Sequence, residues 1–316
     1  MPVLLRQSLE LLNVRPGKLY VDATAGGGGH LGAILDAQQQ QGGGGRVIGI
    51  DRDWHSLQAL EAGLGERATL LHANFADIKE QINEIGIDTI DGGILADLGV
   101  SSMQLDEASR GFSFLRDGPL DMRMDPTQSI TAEQLINRMS EEELANIIFK
   151  FGEERFSRAI ARQIVRERPL HSTSELADVV SRSFRHQKRR IAASSKRRGN
   201  VSELTHPATR TFQAIRIAVN NELGSLEKFL EDSLSLLAPG ARLVVITFHS
   251  LEDRAVKQFL RQAAAPCICP PRQPVCTCHH KPELLIITRK PVAADEKEVL
   301  ANIRSRSAKL RAGEKL

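Results

Sequence analysis

The stretch LYVDATAGGGGHLGAIL, residues 19–35, decides the fold. An apolar run ends on an acid, Asp22; a glycine cluster, Gly26 to Gly29, follows; His30 then opens an apolar pattern of helical period. Glycine lacks the Cβ that bars positive φ, so the chain can turn sharply there and a ligand can approach the backbone amides. Strand, glycine turn and helix in that order are the parts of a nucleotide-type cofactor site.

Working outward, the same alternation repeats. KLYVDAT (18–24), RVIGIDRD (46–53), ATLLHANF (68–75) and IDGGILADLGVSS (90–102) read as strands. Between them HLGAILDAQ (30–38), WHSLQALEAGLG (54–65) and DIKEQINEIG (77–86) read as helices. This order predicts an α/β fold with a doubly wound, mostly parallel sheet. QQQQGGGG (38–45) has no strand leading into it and reads as a low-complexity, flexible loop.

From about residue 111 the texture turns helical. Residues 131–169 keep a continuous helical period, with capping pairs Thr131/Gln134 and Ser140/Glu143, and helix continues through STSELADVVSRSF (172–184). TFQAIRIAVNNELGSLEKFLEDSLSLL (211–237) reads as one helix returning to the sheet, and strand character resumes at ARLVVITFHS (241–250) and ELLIITRK (283–290). The expected organisation is an α/β domain, 1–110 and 206–316, with an inserted all-helical, basic domain, 111–205.

The bulk numbers narrow the class. With 316 residues, 41% hydrophobic and 26% charged, the chain has the composition of a globular protein. No run approaches the roughly 20 apolar residues of a membrane span, and MPVLLRQSLELL lacks the pattern of a secretory signal. Four cysteines confined to 267–278 are no disulfide framework for a chain this long, so a cytoplasmic protein is expected. The net charge of +3 matters only where it is concentrated. It is concentrated at 182–199, where Arg182, Arg185, Lys188, Arg189, Arg190, Lys196, Arg197 and Arg198 have no acid among them. Such a cluster attracts phosphates, although a solvated basic loop would look the same. Arg304, Arg306, Lys309 and Arg311 offer a second basic patch. Aromatics make up only 4%, which argues against an extended stacking platform for single strands.

Three cofactors favour such a sheet: NAD, FAD and S-adenosylmethionine. Four glycines in a row permit many registers, so spacing does not choose among them. Asp22 does: a carboxylate there repels a pyrophosphate but accepts hydrogen bonds from the ammonium of an amino-acid moiety. That favours S-adenosylmethionine. Asp51, ending the second strand, can take both ribose hydroxyls; Phe75 after the third can pack on adenine; Asp97 ends the fourth beside the crevice. Singly, each has a plainer explanation: a tight turn, a helix cap, a core aromatic. Together at successive strand ends they favour a cofactor site.

DATAGGGGH (22–30), IGIDRD (48–53), LADLGVSSMQLDEASRGFSFLRDGPLDMRMD (95–125), THPATRTFQAIRIAVNNELGSL (205–226) and VITFHSLEDRAVK (245–257) then make the chain familiar. In this order they resemble the bacterial 16S ribosomal RNA cytosine-N4-methyltransferase family over nearly the whole length. The resemblance implies an S-adenosylmethionine-dependent methyltransferase (Rossmann-like) fold and methylation of the N4 amine of the decoding-centre cytosine 1402. It implies that Gly28, Gly29 and His30 line the cofactor, with Asp51 at the ribose, Phe75 on the adenine side, and Asp97 and Gln104 as the remaining contacts. The implied partner is 16S rRNA in the small ribosomal subunit or a late assembly intermediate; the oligomeric state stays open, a dimer among the options. Leu31 stands where the family usually has serine, Met103 where it often has proline, and NIRSRSAKLRA (302–312) varies on Asn-Pro-Arg-Ala-Arg-Ser.

Asp97, or a carbonyl of the turn after it, is the candidate catalytic group, because an acceptor on one amine hydrogen helps a delocalised cytosine nitrogen attack. His249 reads as a structural hydrogen-bonder outside the site. No metal ligand is assigned. CICPPRQPVCTCHH (267–280) offers two C-x-C pairs, Cys267/Cys269 and Cys276/Cys278, which can supply four thiolates to zinc or form an ordered, redox-sensitive proline-rich loop. The rival readings are an NAD-dependent dehydrogenase, disfavoured by Asp22 and the basic insertion, and a non-catalytic ribosome-assembly factor keeping the fold.

Overall fold

The computed structural model describes residues 2–64, 67–194, 206–270, 273 and 275–316. The strands are β1 (Leu19–Asp22), β2 (Arg46–Asp51), β3 (Ala68–His72), β4 (Gly93–Asp97), β5 (Arg242–Thr247), β6 (Leu284–Ile286), β7 (Val292–Ala293) and β8 (Lys309–Lys315). The first helices are α1 (Leu5–Leu12), α2 (Gly29–Gln40), α3 (Trp54–Leu64), α4 (Ile78–Glu84), α5 (Ser102–Asp106), α6 (Ala132–Arg138) and α7 (Glu141–Gly152). They are followed by α8 (Ser157–Glu167), α9 (Thr173–Ser194), α10 (Thr209–Asn220), α11 (Glu222–Leu236), α12 (Ser250–Ala263) and α13 (Glu296–Ala301). Two compact units result, one of residues 1–99 with 223–316, the other of residues 100–222.

In the first unit the sheet runs β3-β2-β1-β4-β5-β8-β6, with β7 also on β8. β3 to β5 are parallel, and β8 lies antiparallel between β5 and β6. Alternate side chains leave a strand on opposite faces. Val21, Ile48, Ile94 and Val245 therefore pack on one side with Ile78, Phe229 and Leu260. Tyr20, Val47, Leu95 and Val244 pack on the other with Leu12, Leu31 and Ile34. Covering both faces is what turns these strands into nearly continuous apolar runs. Chain order reverses at β1, which has β2 on one side and β4 on the other, and ligands bind at such a switch point beyond the carboxyl ends.

The second unit is helical around Leu135, Ile136, Leu144, Ile148, Ile160, Ile164, Val180 and Phe212. The capping pairs read from the sequence form reciprocal boxes: Thr131 with Gln134 on α6 and Ser140 with Glu143 on α7. Of the basic cluster, Arg182 and Arg185 are exposed on α9, Arg182 paired with Glu167. The side chains of Lys188, Arg189 and Arg190, and all of Lys196, Arg197 and Arg198, lie outside the described residues.

Four sequence expectations need correction. Gln38 to Gln40 are not loop but the end of α2: Gln38 is buried and its Nε2 donates to the Lys18 carbonyl at 2.7 Å. Residues 211–237 form two helices, not one. Asn221 takes φ 47° between α10 and α11, while Asn220 is occupied elsewhere, accepting from Met124 N and donating to Met122 O, both at 2.8 Å. The last strand, β8, was not foreseen, since KLRAGEK has none of the β-branched or aromatic residues that mark strands. It also removes half of the second basic patch: Arg311 Nε lies 2.7 Å and Lys309 Nζ 3.3 Å from the Asp253 carboxylate.

Candidate functional site

The site grows out of the carboxyl ends of β1, β2 and β4, all in the first unit. Asp22 closes β1 and is buried. Its Oδ1 accepts from Thr24 N at 3.2 Å, while Oδ2 has no hydrogen-bond partner among the described residues. Burial and the nearby Asp51 push its carboxyl up to about 7. Asp97 closes β4; its backbone N donates to Thr24 Oγ1 at 2.6 Å, which ties the two strand ends together. Asp97 Oδ1 is likewise buried without a partner among the described residues. Burial first, then Asp22 and Glu252, holds the Asp97 carboxyl well above the ordinary range.

Asp51, at the end of β2, is used differently. One oxygen accepts from Gly26 N at 2.7 Å and the other from Asp53 N at 2.8 Å, so the carboxylate joins the glycine turn to the β2–α3 turn. Burial raises its pKa, and those two amides pull it back. A carboxylate oxygen that accepts one amide still has a second lone pair, which a diol could use. Within the turn Gly28 is the N-cap of α2 at φ 74°. The positive φ is what favours glycine there, and a Cβ would also push on the tip of the Leu60 side chain, 2.3 Å away.

His30 is buried, and its Nε2 stands 3.0 Å from the Val3 carbonyl. Burial lowers its pKa to about 4, so at neutral pH the ring is uncharged and donates from Nε2. Nδ1 then turns a bare lone pair toward Asp97 Oδ2, 3.7 Å away. The ring anchors the amino-terminal segment and leaves the neighbouring carboxylates uncompensated. Phe75, in the turn after β3, packs edge-on against Phe229 with ring centroids 5.3 Å apart and belongs mostly to the core. Gln104 lies in the second unit, where its Oε1 accepts from Ser101 N at 3.0 Å and Ser101 Oγ caps Gln104 N.

Two participants were missed from sequence. Thr24 is one; its neighbour in space, Asp97, is 73 residues away, and nothing local announces the bond. Glu252 is the other, a buried acid on α12 that accepts from Phe248 N at 2.8 Å and adds to the negative potential at Asp97. The pattern His-Ser-Leu-Glu at 249–252 is a capping box and could have flagged it. His249, read from sequence as a structural hydrogen-bonder, caps α12 with Nδ1 and holds Nε2 3.1 Å from Glu252 Oε1.

Buried Asp22 and half-buried Asp97, each with an oxygen orphaned among the described residues, stand beside Asp51 and make an environment that repels anions. A ligand with a sulfonium and an ammonium fits it, and a pyrophosphate does not. The sheet order, glycine turn and acid triplet define a Rossmann-like, S-adenosylmethionine-dependent methyltransferase. The MraW methylase family matches residues 1–316, and the chain belongs to that family. A relative from Heliobacterium modesticaldum is 49% identical over 100% of this chain and 98% of its own length. Another from Symbiobacterium thermophilum is 50% identical over 100% of this chain and 96% of its own. Both are named ribosomal RNA small subunit methyltransferase H.

Proposed function

We propose that the protein methylates the exocyclic N4 amine of cytosine 1402 in 16S rRNA, within the small ribosomal subunit or a late assembly intermediate, in the cytoplasm. The observation that carries the reading is the pair of carboxylate oxygens at adjacent strand ends, Asp22 Oδ2 and Asp97 Oδ1, that have no hydrogen-bond partner among the described residues. Full-length relatives named for the small-subunit rRNA supply the substrate class.

When bound, S-adenosylmethionine supplies a methyl group on a positively charged sulfur. Asp22 and Asp97 hold the complementary negative charge, worth more in a buried site than in water. By the family resemblance Gly28, Gly29 and His30 would line the cofactor, Asp51 would take the ribose hydroxyls, Phe75 would border adenine, and Asp97 and Gln104 would be the remaining contacts. His30 keeps its ring neutral and so does not cancel the acids. Asp97 Oδ1 accepts one hydrogen of the cytosine amine, concentrating the nitrogen lone pair. As a carboxylate, Asp97 then takes that proton as the methyl group transfers. Positioning of the flipped base supplies much of the rest of the acceleration. The helical unit, with Arg182 and Arg185 exposed, provides the phosphate-binding surface.

Nucleoside mapping of rRNA from cells with and without the gene tests the target, with N4-methylation at 1402 expected only where the gene is present. Tritium transfer from labelled S-adenosylmethionine to purified small subunits and to naked 16S rRNA tests the substrate form, and transfer to subunits is expected to exceed that to naked RNA. Cofactor binding without transfer to either would instead make this a ribosome-assembly factor.

A further inference from the structure

Between α12 and β6 the chain runs through residues 264–283 with no helix or strand among its described residues. Connections of that length without secondary structure are uncommon in compact domains. This one carries all four cysteines of the protein, exposed or half-buried. Apolar packing does not gather them, since Ile268 and Val275, their apolar neighbours in sequence, are 46% and 70% exposed. Yet the four sulfurs converge, all within 4.8 Å of one another.

The distances discriminate between explanations. Cys276 Sγ is 3.5 Å from Cys267 Sγ, 4.0 Å from Cys269 Sγ and 3.6 Å from Cys278 Sγ, and Cys278 Sγ is 3.7 Å from Cys267 Sγ. Disulfides sort four sulfurs into two pairs about 2.0 Å apart. Here one sulfur is nearly equidistant from three others. A tetrahedron with zinc–sulfur bonds of about 2.3 Å has edges of about 3.8 Å, and these four separations, 3.5–4.0 Å, bracket that value. Two backbone amides point at sulfur as donors, Cys269 N to Cys267 Sγ at 3.4 Å and Thr277 N to Cys269 Sγ at 3.5 Å. Such donors offset negative charge on a thiolate. The adjacent imidazole of His280 is turned elsewhere, with Nε2 3.1 Å from the Gln262 carbonyl.

We propose that Cys267, Cys269, Cys276 and Cys278 form a closed, structural tetrathiolate site for one zinc ion, which staples the α12–β6 connection. Four thiols give up four protons as four sulfur–zinc bonds form, and no electron is transferred. All four positions around the ion are filled by protein, so the site does no chemistry on a substrate. Its task is to order a chain segment that lacks a core of its own.

The full chain, purified without chelator or histidine tag from zinc-supplemented medium, is expected to hold about one zinc per chain by elemental mass spectrometry. A Cys276→Ser/Cys278→Ser variant is expected to fall below about a tenth of an equivalent while still binding S-adenosylmethionine, because a two-thiolate remnant is a poor site. Should that variant fail to fold, cobalt replacement in the wild-type chain decides alone. Near-ultraviolet sulfur-to-cobalt charge transfer with intense tetrahedral visible bands supports the site, and their absence overturns it. Wild-type protein with under about a tenth of an equivalent of zinc, disulfides among the four cysteines on mass mapping, or undiminished zinc in the double variant would each overturn it as well.

Discussion

The ion-paired acids of the helical unit and the acids at the strand ends of the sheet unit are treated in opposite ways. In the helical unit Asp121 accepts from Arg123 Nε at 2.8 Å and Nη2 at 2.7 Å, and its carboxyl lies below the ordinary range, Arg123 outweighing the cost of partial burial. Buried Glu222 is matched by Arg216 through two contacts of 2.8 Å. At the strand ends of the sheet unit, Asp22 and Asp97 have raised carboxyl pKa values and an oxygen apiece without a partner among the described residues. The first arrangement stabilises the fold. The second holds charge ready for a ligand at the fold's expense, which is how binding sites differ from scaffolds.

Breaking the contrast at its functional end gives the largest effect. Asp97→Asn keeps the size of the side chain but neither accepts a proton nor carries charge. Methyl transfer to small subunits is expected to fall by about 10²–10⁴-fold, measured with labelled cofactor at saturating concentrations. A rate within a few-fold of wild type together with unchanged cofactor affinity would remove Asp97 from both of its roles.

Asp22→Asn tests the cost directly. The neutral variant is expected to melt at a higher temperature than wild type near pH 8 without cofactor, and to bind S-adenosylmethionine about tenfold more weakly, the loss of one charge-assisted contact. Scanning fluorimetry and calorimetry read the two changes, and a lower melting temperature with unchanged affinity would invert the comparison.

The pH dependence follows from the same group. Asp22 has an ordinary value of 3.8 and a folded value of about 7. Between these the folded chain keeps a proton that the unfolded chain has released, so this group's contribution to cofactor-free stability falls as pH rises through that window and levels off above it. A cationic cofactor prefers the carboxylate, so affinity is expected to climb from pH 5.5 to 7 by up to about tenfold per unit. Calorimetry in buffers of differing ionisation enthalpy should show protons released on binding below pH 7; an affinity flat across that range would sink the assignment.

The smallest change is expected in the helical unit. Arg123 also donates to the Pro126 and Gln128 carbonyls. Arg123→Ala is expected to cost about 1–3 kcal/mol of stability, read by denaturant titration, with cofactor affinity unmoved.

Much of the sheet unit was legible in the chain. Apolar runs ending on Asp22, Asp51 and Asp97, each followed by turn and helix, identify parallel strands and place the acids at their carboxyl ends, because strand direction and helical period are local properties. The capping pairs of α6 and α7 were equally local. β8 was not: its polar sequence becomes a strand because β5 and β6 leave a slot between them. The spacing of the four sulfurs was not legible either, since C-x-C pairs in sequence leave the separation between pairs to the folded loop.

By itself the sequence determined the layered α/β class, the glycine turn and which residue types stand at the strand ends, all set by periodicity and by the φ values that glycine alone tolerates without strain. Tertiary structure decided which of those groups go unpaired. Whether Asp22 and Asp97 find a cation, or His30 keeps its proton, depends on side chains brought together from distant parts of the chain and on how much water they exclude. Electrostatics acts through space rather than along the sequence.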